Sequence, residues 1–197
     1  HQKLAVMTTL LPENMGRLGE LAVYLRKWGM QDWLLSPQIF LSREQLQLYS
    51  EWLSSCGIRE NTGASWLAEF SCGYGGEMAE SVERLMADYP DLRLRLSADS
   101  MQSEQLLPWY DDPEADILPL SCRAPWHRLS IRSDGSTSFC LDVSDGSLGS
   151  VLEKGIEEIF QGPEADRFRK EIGLAGNPAC KRCVWRWRRD YSYSGKA

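Results

Sequence analysis

The sequence lacks the segments that would place a protein in a membrane or carry it across one. None of its apolar runs approaches the roughly 20 residues that span a bilayer. Residues 1–10 contain no basic region followed by a long apolar stretch and a small-residue cleavage site, the pattern of a signal peptide. These absences favour a cytoplasmic location and no membrane partner.

The chain also lacks an excess of positive charge. Its formal net charge of -6 at pH 7 argues against a general nucleic-acid binder or a protein that coats acidic membranes. The 197 residues are 43% apolar and 25% charged, which lies inside the range of globular proteins and outside that of disordered or fibrous ones. This length accommodates one large domain or two modest ones.

An initiator methionine is missing, and the first apolar run, residues 4–10, begins very close to the first residue. We therefore expect the chain to be a piece of a longer protein.

Six cysteines are the informative part of the composition. An even number would indicate disulfides in a short secreted chain, but this chain is neither short nor visibly secreted, so reduced thiols or metal ligands are favoured. Cys56 and Cys72 lie on apolar faces of predicted elements, where a thiol behaves as a small hydrophobic group. We expect both in the core. The other four are Cys122, Cys140, Cys180 and Cys183.

Residues 1–96 alternate between strand and helix patterns. Strands are predicted at residues 4–10, 33–36, 66–72 and 92–96, each separated from the next by an amphipathic helical pattern. Asn14 is placed to cap the first helix, and Ser42 with Gln45 forms a capping box for the second. Strands separated by single helices pair in parallel, so the fold class is α/β. A small open sheet and an arc of a (β/α) barrel both fit this pattern.

A glycine-rich turn, residues 73–76, lies between the third predicted strand and the next helix. Backbone amides at such a position attract anions. The turn lacks the Lys-Ser/Thr of a P-loop and the spacing of a dinucleotide fingerprint, so an ordinary loop is favoured.

Residues 106–120 contain three prolines and a run of acids, which indicates a solvated linker. The charge changes across it. Residues 1–118 carry 9 basic and 18 acidic side chains, a net of -9, whereas residues 119–197 carry 13 and 10, a net of +3.

A β-hairpin is predicted after Cys122. Asp134-Gly135 between alternating runs is the strongest short-range hairpin signal. With these two residues as the loop, Cys140 lies opposite Leu129 and on the apolar side of the hairpin with Ile131. Both Cys122 and Cys140 then reach the open end of the hairpin.

A Cys-x-x-Cys turn, Cys180 to Cys183, supplies a second thiol pair. Together the four cysteines form a closed four-thiolate site that suits zinc or an iron–sulfur cluster. Because 17 residues and a whole hairpin separate Cys122 from Cys140, unlike the short knuckles of a zinc ribbon, the spacing favours the cluster.

The pattern of Cys122, twelve residues, Gly135, four residues and Cys140 resembles the opening motif of the auxiliary-cluster domain in SPASM and twitch members of the radical S-adenosylmethionine enzymes. Further stretches follow the family order of glycine turn, short helix and arginine-bearing helix: residues 148–151, 156–160 and 167–169. Cys180-Lys-Arg-Cys183 closes the motif, so the resemblance covers about residues 119–187.

The resemblance implies an α/β fold in which a partial (β/α) TIM-like barrel, residues 1–118, precedes a small hairpin-plus-helix SPASM/twitch domain, residues 119–197, with a basic aromatic tail. It implies one auxiliary [4Fe–4S] cluster held by Cys122, Cys140, Cys180 and Cys183, because no cysteine follows Cys183. With four thiolate ligands, electron transfer fits this cluster better than direct binding of substrate.

One departure from the family concerns the Cys-x-x-x-Cys-x-x-Cys triad that binds the S-adenosylmethionine-cleaving [4Fe–4S] cluster. That spacing does not occur here. We expect the triad in a preceding part of the parent enzyme, an oxidoreductase or maturase, and expect this chain alone to be inactive. The parent would generate a 5′-deoxyadenosyl radical that abstracts hydrogen from a small-molecule or peptide substrate, with a reductant such as flavodoxin or ferredoxin.

Two other features have ordinary explanations. His127 is predicted to be packed or solvated, since four thiolates already complete the site. The basic residues from Lys181 to Arg189, interleaved with Trp185 and Trp187, resemble a nucleic-acid stacking patch. They are better explained as offsetting the negative charge of the cluster or as docking on the barrel.

The alternative to the radical enzyme is a noncatalytic protein with a structural zinc site.

Overall fold

The computed structural model describes residues 4–59, 73–96, 101–115, 117, 122, 124–140, 142, 145–172 and 177–183. The strands are β1 (Ala5–Leu10), β2 (Asp32–Pro37), β3 (Arg93–Leu96), β4 (Ser130–Ile131) and β5 (Thr137–Ser138). The α-helices are α1 (Pro12–Met15), α2 (Leu18–Lys27), α3 (Arg43–Ser55), α4 (Gly75–Asp88), α5 (Leu106–Asp111), α6 (Ala124–His127), α7 (Ile156–Phe160) and α8 (Pro163–Arg167). Two 3₁₀ helices, Ser103–Gln105 and Pro178–Arg182, and a π-helical turn, Phe168–Ile172, complete the elements. In the part of the chain that the structure describes, no helix has the length and apolar character needed to cross a membrane.

The chain divides into two compact units. Among the described residues, the first unit contains 4–39, 73–96, 101–115 and 117, and the second contains 40–59, 122, 124–140, 142, 145–172 and 177–183. Helix α3 is therefore in the same unit as the four predicted cluster ligands. The predicted domains, 1–118 and 119–197, stay a prediction.

A three-stranded parallel sheet in the order β1-β2-β3 forms the centre of the first unit. Trp33 of β2 lies opposite Val6 of β1 and Leu94 of β3. Alternate residues of β2 are buried, as expected where one face packs on helices. The apolar faces of the helices are also buried, through Leu18, Ala22 and Leu25 of α2 and Met78, Val82 and Leu85 of α4. The α/β class and the parallel pairing are confirmed, while the strand predicted at 66–72 lies outside the described residues.

The start of the first helix differs from the prediction. Asn14 does not cap α2, because a separate short helix, α1, comes first. Its side chain instead forms hydrogen bonds with backbone groups that precede it in the sequence. The amide accepts from the backbone N–H of Leu11 at 3.0 Å and donates to the carbonyl of Thr9 at 2.8 Å. Asn14 therefore stabilises the turn that leaves β1.

Residues 106–111 are not a linker, so that prediction is wrong for the first part of the segment. They form α5, in which Leu106, Trp109 and Tyr110 are buried. Trp109 Nε1 donates to the carbonyl of Gln38 at 2.8 Å, and the Tyr110 hydroxyl donates to the carbonyl of Leu10 at 2.8 Å. Burial of two large aromatic rings outweighs the local proline and acid composition, since Pro108 in the first helical turn costs no hydrogen bond.

The glycine-rich turn, residues 73–76, leads into α4, and a side chain of the protein itself bonds to its backbone N–H groups. The backbone N–H groups of Gly73 and Gly75 both donate to Asp111 Oδ1 at 2.9 Å. A carboxylate of the chain thus takes the place that an anion would occupy at the start of α4. Only residues 73–74 form the predicted loop, since Gly75 and Gly76 belong to α4, and Asp111 is not merely part of a solvated acidic surface.

In the second unit, α3 begins as its sequence predicts. Ser42 Oγ accepts from the backbone N–H of Gln45 at 3.1 Å, and Gln45 Oε1 accepts from the N–H of Ser42 at 3.1 Å. This is the predicted capping box. Tyr49 and Leu53 of α3 are buried with Leu41 and Ala179 in one apolar cluster.

The hairpin register differs by one residue from the prediction. Ser130 pairs with Ser138 and Ile131 with Thr137, so the loop contains three residues, 133–135. Gly135 has φ +82, the left-handed conformation that closes such a loop. The Asp134 carboxylate accepts from the Ser136 N–H at 2.9 Å, which further stabilises the turn.

This shift changes which residue faces the apolar core. Phe139 is buried with Leu148, Ile159 and Ala165, and Leu129 packs against that cluster. The predicted placement of Cys140 opposite Leu129, on the side of Ile131, is therefore wrong: Phe139 holds the apolar position and Ile131 is 49% exposed. A one-residue shift exchanges the two faces of a strand.

Gly75 provides a test of the packing in the first unit. A Cβ at Gly75 would lie 2.4 Å from the carbonyl oxygen of Leu107, whereas one at Gly76 would lie 3.8 Å from the nearest atom, Leu107 Cδ1. We expect Gly75→Ala to lower the free energy of unfolding by about 1–3 kcal/mol through overpacking. The matched Gly76→Ala should leave it unchanged or raise it by up to about 1 kcal/mol. Urea denaturation measures both, and equal stabilities for the two variants would contradict this packing.

Candidate metal centre

The Cys-x-x-Cys segment folds as a 3₁₀ helix, Pro178–Arg182. Asn177 caps it, since its side-chain oxygen accepts from the Ala179 N–H at 3.0 Å. The N–H of Cys183 then donates to the carbonyl of Cys180 at 3.3 Å. One tight turn therefore carries both thiols, and both cysteines are buried, with exposed fractions of 8% and 5%.

The other two cysteines flank the hairpin. Cys122 precedes α6, and its sulfur accepts from the backbone N–H of Ala124 at 3.4 Å. Cys140 follows β5, and its carbonyl accepts from the Ser138 hydroxyl at 2.8 Å. Both are half-buried. An N–H group directed at a cysteine sulfur stabilises the thiolate form that binds metals.

All four cysteines lie within the second unit, and each is a thiol rather than half of a disulfide, in agreement with the expectation of reduced cysteines. Among the described residues, no three His, Cys, Asp or Glu side chains are gathered into a metal-binding group. The ligand set of Cys122, Cys140, Cys180 and Cys183 thus stays a prediction. Its chemistry fits the group, because soft thiolates are the ligands of iron–sulfur clusters.

Arg169 holds together the segments that carry Cys122 and Cys140. Its guanidinium donates to the carbonyl of Pro125 at 3.0 Å and to that of Phe160 at 2.8 Å. It also lies over the rings of Phe139 and Phe160, 4.9 and 4.7 Å from the ring centroids. This is the arginine-bearing segment of the predicted motif, here within the π-helical turn.

Arg182 lies between the two cysteines of the turn and is fully buried. Its guanidinium carbon lies 4.6 Å from the centroid of the Phe40 ring. A positive charge at this position favours ionised thiols nearby. The prediction that basic residues offset the charge of a cluster thus has a buried candidate in Arg182, whereas Trp185 to Arg189 lie outside the described residues.

Three further residues that the sequence singled out are not among the predicted ligands. His127 is exposed at the end of α6, as its ordinary explanation expects. Cys56 is half-buried rather than in the core: it follows α3 and lines a cavity of about 280 Å³ with Ile58, Leu148 and Arg167. Cys72 lies outside the described residues.

The structure adds a pair that the sequence did not indicate. The hydroxyl of Tyr49 donates a hydrogen bond to the carboxylate of Asp145, and both residues are buried, at 0% and 4% exposure. Burial and the Asp145 carboxylate raise the pKa of Tyr49 far above its usual range, and the neighbouring Cys180 and Cys140 raise it further. The hydroxyl therefore stays protonated and lies near one thiol of each predicted pair.

Residues 122–184 match the family model of the SPASM domain, described as an iron–sulfur cluster-binding domain. This segment is a SPASM domain. No curated protein and no solved structure matches the chain.

The SPASM domain binds an iron–sulfur cluster and is typical of radical S-adenosylmethionine enzymes, so the resemblance seen in the sequence is confirmed. Its bounds include all four predicted ligands, the hairpin and Arg169. Helix α3 lies outside them, although it belongs to the same compact unit.

Arg169 offers a test of how the SPASM domain is held together. Arg169→Lys keeps the charge but loses the planar group that bonds two carbonyls and stacks on two rings. We expect it to lower the free energy of unfolding by about 2 kcal/mol. Lys170→Gln is the control, because Lys170 is 77% exposed and its ion pair with Asp166 is 3.9 Å long, so that loss should stay below about 0.5 kcal/mol. Chemical denaturation that ranks the two variants equally would contradict the role of Arg169.

Proposed function

We propose that Cys122, Cys140, Cys180 and Cys183 hold one auxiliary [4Fe–4S] cluster of a radical S-adenosylmethionine enzyme. The observation that carries the proposal is that a segment matching the SPASM domain contains these four cysteines within one compact unit. When bound, such a cluster supplies one-electron transfer. With four thiolates on four irons no iron has an open position, so electron transfer is favoured over direct binding of substrate.

The residues of the chain prepare the site in three ways. The turn of Cys180 and Cys183 buries its thiols, which limits access of water. The Ala124 N–H stabilises negative charge on the Cys122 sulfur, and Arg182 places a buried positive charge on the turn of Cys180 and Cys183. Arg169 fixes the two segments next to Cys122 and Cys140 through Pro125 and Phe139.

The first unit supports a further part of the proposal. Three parallel strands in sequential order, with helices in the connections, are the repeating pattern of a (β/α) barrel. We propose that residues 1–118 belong to a partial TIM-like barrel of the parent enzyme. That enzyme would act as an oxidoreductase or maturase on a small molecule or peptide and take electrons from flavodoxin or ferredoxin.

Cysteine replacement tests the ligand assignment. After anaerobic reconstitution with iron and sulfide, the unaltered chain should bind about four irons and four sulfides and show broad visible absorption. Cys180→Ser should lose most of both, because a hydroxyl is a poor substitute for a soft thiolate.

Cys56→Ser is the matched control, since Cys56 lies in the same unit and is also a free thiol but is not a predicted ligand. It should retain the cluster. A colourless protein with one tightly bound zinc would replace the proposal by the structural zinc site, and equal iron loss in the two variants would overturn the ligand set.

A further inference from the structure

The Tyr49–Asp145 pair joins two segments that are distant in the sequence. Tyr49 lies on α3, outside the SPASM segment, whereas Asp145 lies within it, five residues after Cys140. Tyr49 packs against Ala179, the residue before Cys180, together with Leu41 and Leu53. The pair therefore links the segment that follows Cys140 to the apolar cluster next to Cys180.

A buried carboxylate needs a partner. Transfer of a carboxylate from water into a protein interior is unfavourable unless hydrogen bonds compensate it. The Tyr49 hydroxyl supplies one such bond. The rigid ring, also stacked on Trp52 at a centroid distance of 6.0 Å, holds that donor in place.

A fixed negative charge near a cluster has a defined electrostatic effect. Reduction adds an electron to an already anionic group, so a neighbouring carboxylate disfavours the reduced form and lowers the reduction potential. The effect is strong in a buried site because the interior screens charge less than water does. Asp145 accepts a hydrogen bond from Tyr49, which is buried in one cluster with Ala179, the residue before Cys180.

We propose that Asp145, held by the Tyr49 hydroxyl, lowers the reduction potential of the auxiliary cluster, and that α3 is thereby a functional part of the cluster site. Tyr49 is a positioning residue, since it acts through Asp145. This inference rests on the proposed cluster and its four ligands.

Redox titration of the reconstituted full chain, followed by electron paramagnetic resonance, tests the inference. Asp145→Asn keeps the shape of the side chain and an oxygen that accepts from Tyr49 but removes the negative charge. We expect a shift of the midpoint potential to a more positive value. Glu153→Gln, which removes an exposed carboxylate from the same unit, is the control and should leave the potential unchanged.

Tyr49→Phe tests whether the tyrosine acts through Asp145. It retains the ring and removes only the hydroxyl, so we expect a changed potential when Asp145 is present and no further change when Tyr49→Phe is combined with Asp145→Asn. An effect of equal size in both backgrounds would show that Tyr49 acts independently and would overturn its positioning role.

The iron and sulfide content of the reconstituted chain distinguishes a failure of the proposed function from a failure of the inference about Asp145. An unaltered chain that binds no cluster rejects the proposed function itself. If it binds the cluster and Asp145→Asn matches Glu153→Gln in potential, the inference about Asp145 is wrong while the proposed function stands. If the Asp145→Asn protein binds no cluster, the Tyr49→Phe protein becomes the test. An unchanged midpoint potential of the cluster in that protein overturns the inference.

Discussion

The second unit depends on the position of one guanidinium group. Arg169 bonds to the carbonyl of Pro125, three residues after Cys122, and lies over the ring of Phe139, which directly precedes Cys140. Two segments that carry predicted ligands thus meet at the side chain of Arg169. Arg169 also donates to the carbonyl of Phe160, which connects α7 to these segments. Since a planar donor with several N–H groups can satisfy two carbonyls while it stacks on rings, arginine suits this position and lysine does not.

The turn of Cys180 and Cys183 is held differently. Ala179 lies in the apolar cluster of α3, and the Tyr49–Asp145 bond links that helix to the segment after Cys140. The SPASM segment alone therefore does not contain all the packing around the predicted ligands, because residues of α3 pack with Ala179 of the turn. A match in sequence delimits the recurring motif, whereas the compact unit delimits the residues that bury it.

Features set by neighbouring residues could be predicted from the sequence. The Ser42–Gln45 capping box follows from a local pattern, and the parallel pairing follows from helices between successive strands. The hairpin was predicted but not its register, because Gly135 takes a left-handed conformation in a two-residue loop and in a three-residue loop alike. The helix at 106–111 was missed, since proline and acid composition is a weaker determinant than burial of Trp109.

Of the candidate site, the cysteines could be predicted because their spacing is itself the motif. The Tyr49–Asp145 pair could not, since its members are 96 residues apart and neither has a distinctive neighbourhood in the sequence. Tyr49 occupies a buried helical position like many core aromatics, and only the fold shows that its hydroxyl meets a carboxylate.

The buried charges of the second unit indicate how metal loading and folding are linked. Arg182 is fully buried, and its contact with the Phe40 ring is worth about 1–2 kcal/mol. Burial of a guanidinium costs several kcal/mol unless charges and hydrogen bonds compensate it. In the sequence Arg182 lies between Cys180 and Cys183. If these cysteines hold the proposed cluster, they do so as thiolates, and their negative charge would offset part of the cost of burying Arg182. Under that ligand set, cluster binding and burial of the arginine would stabilise each other.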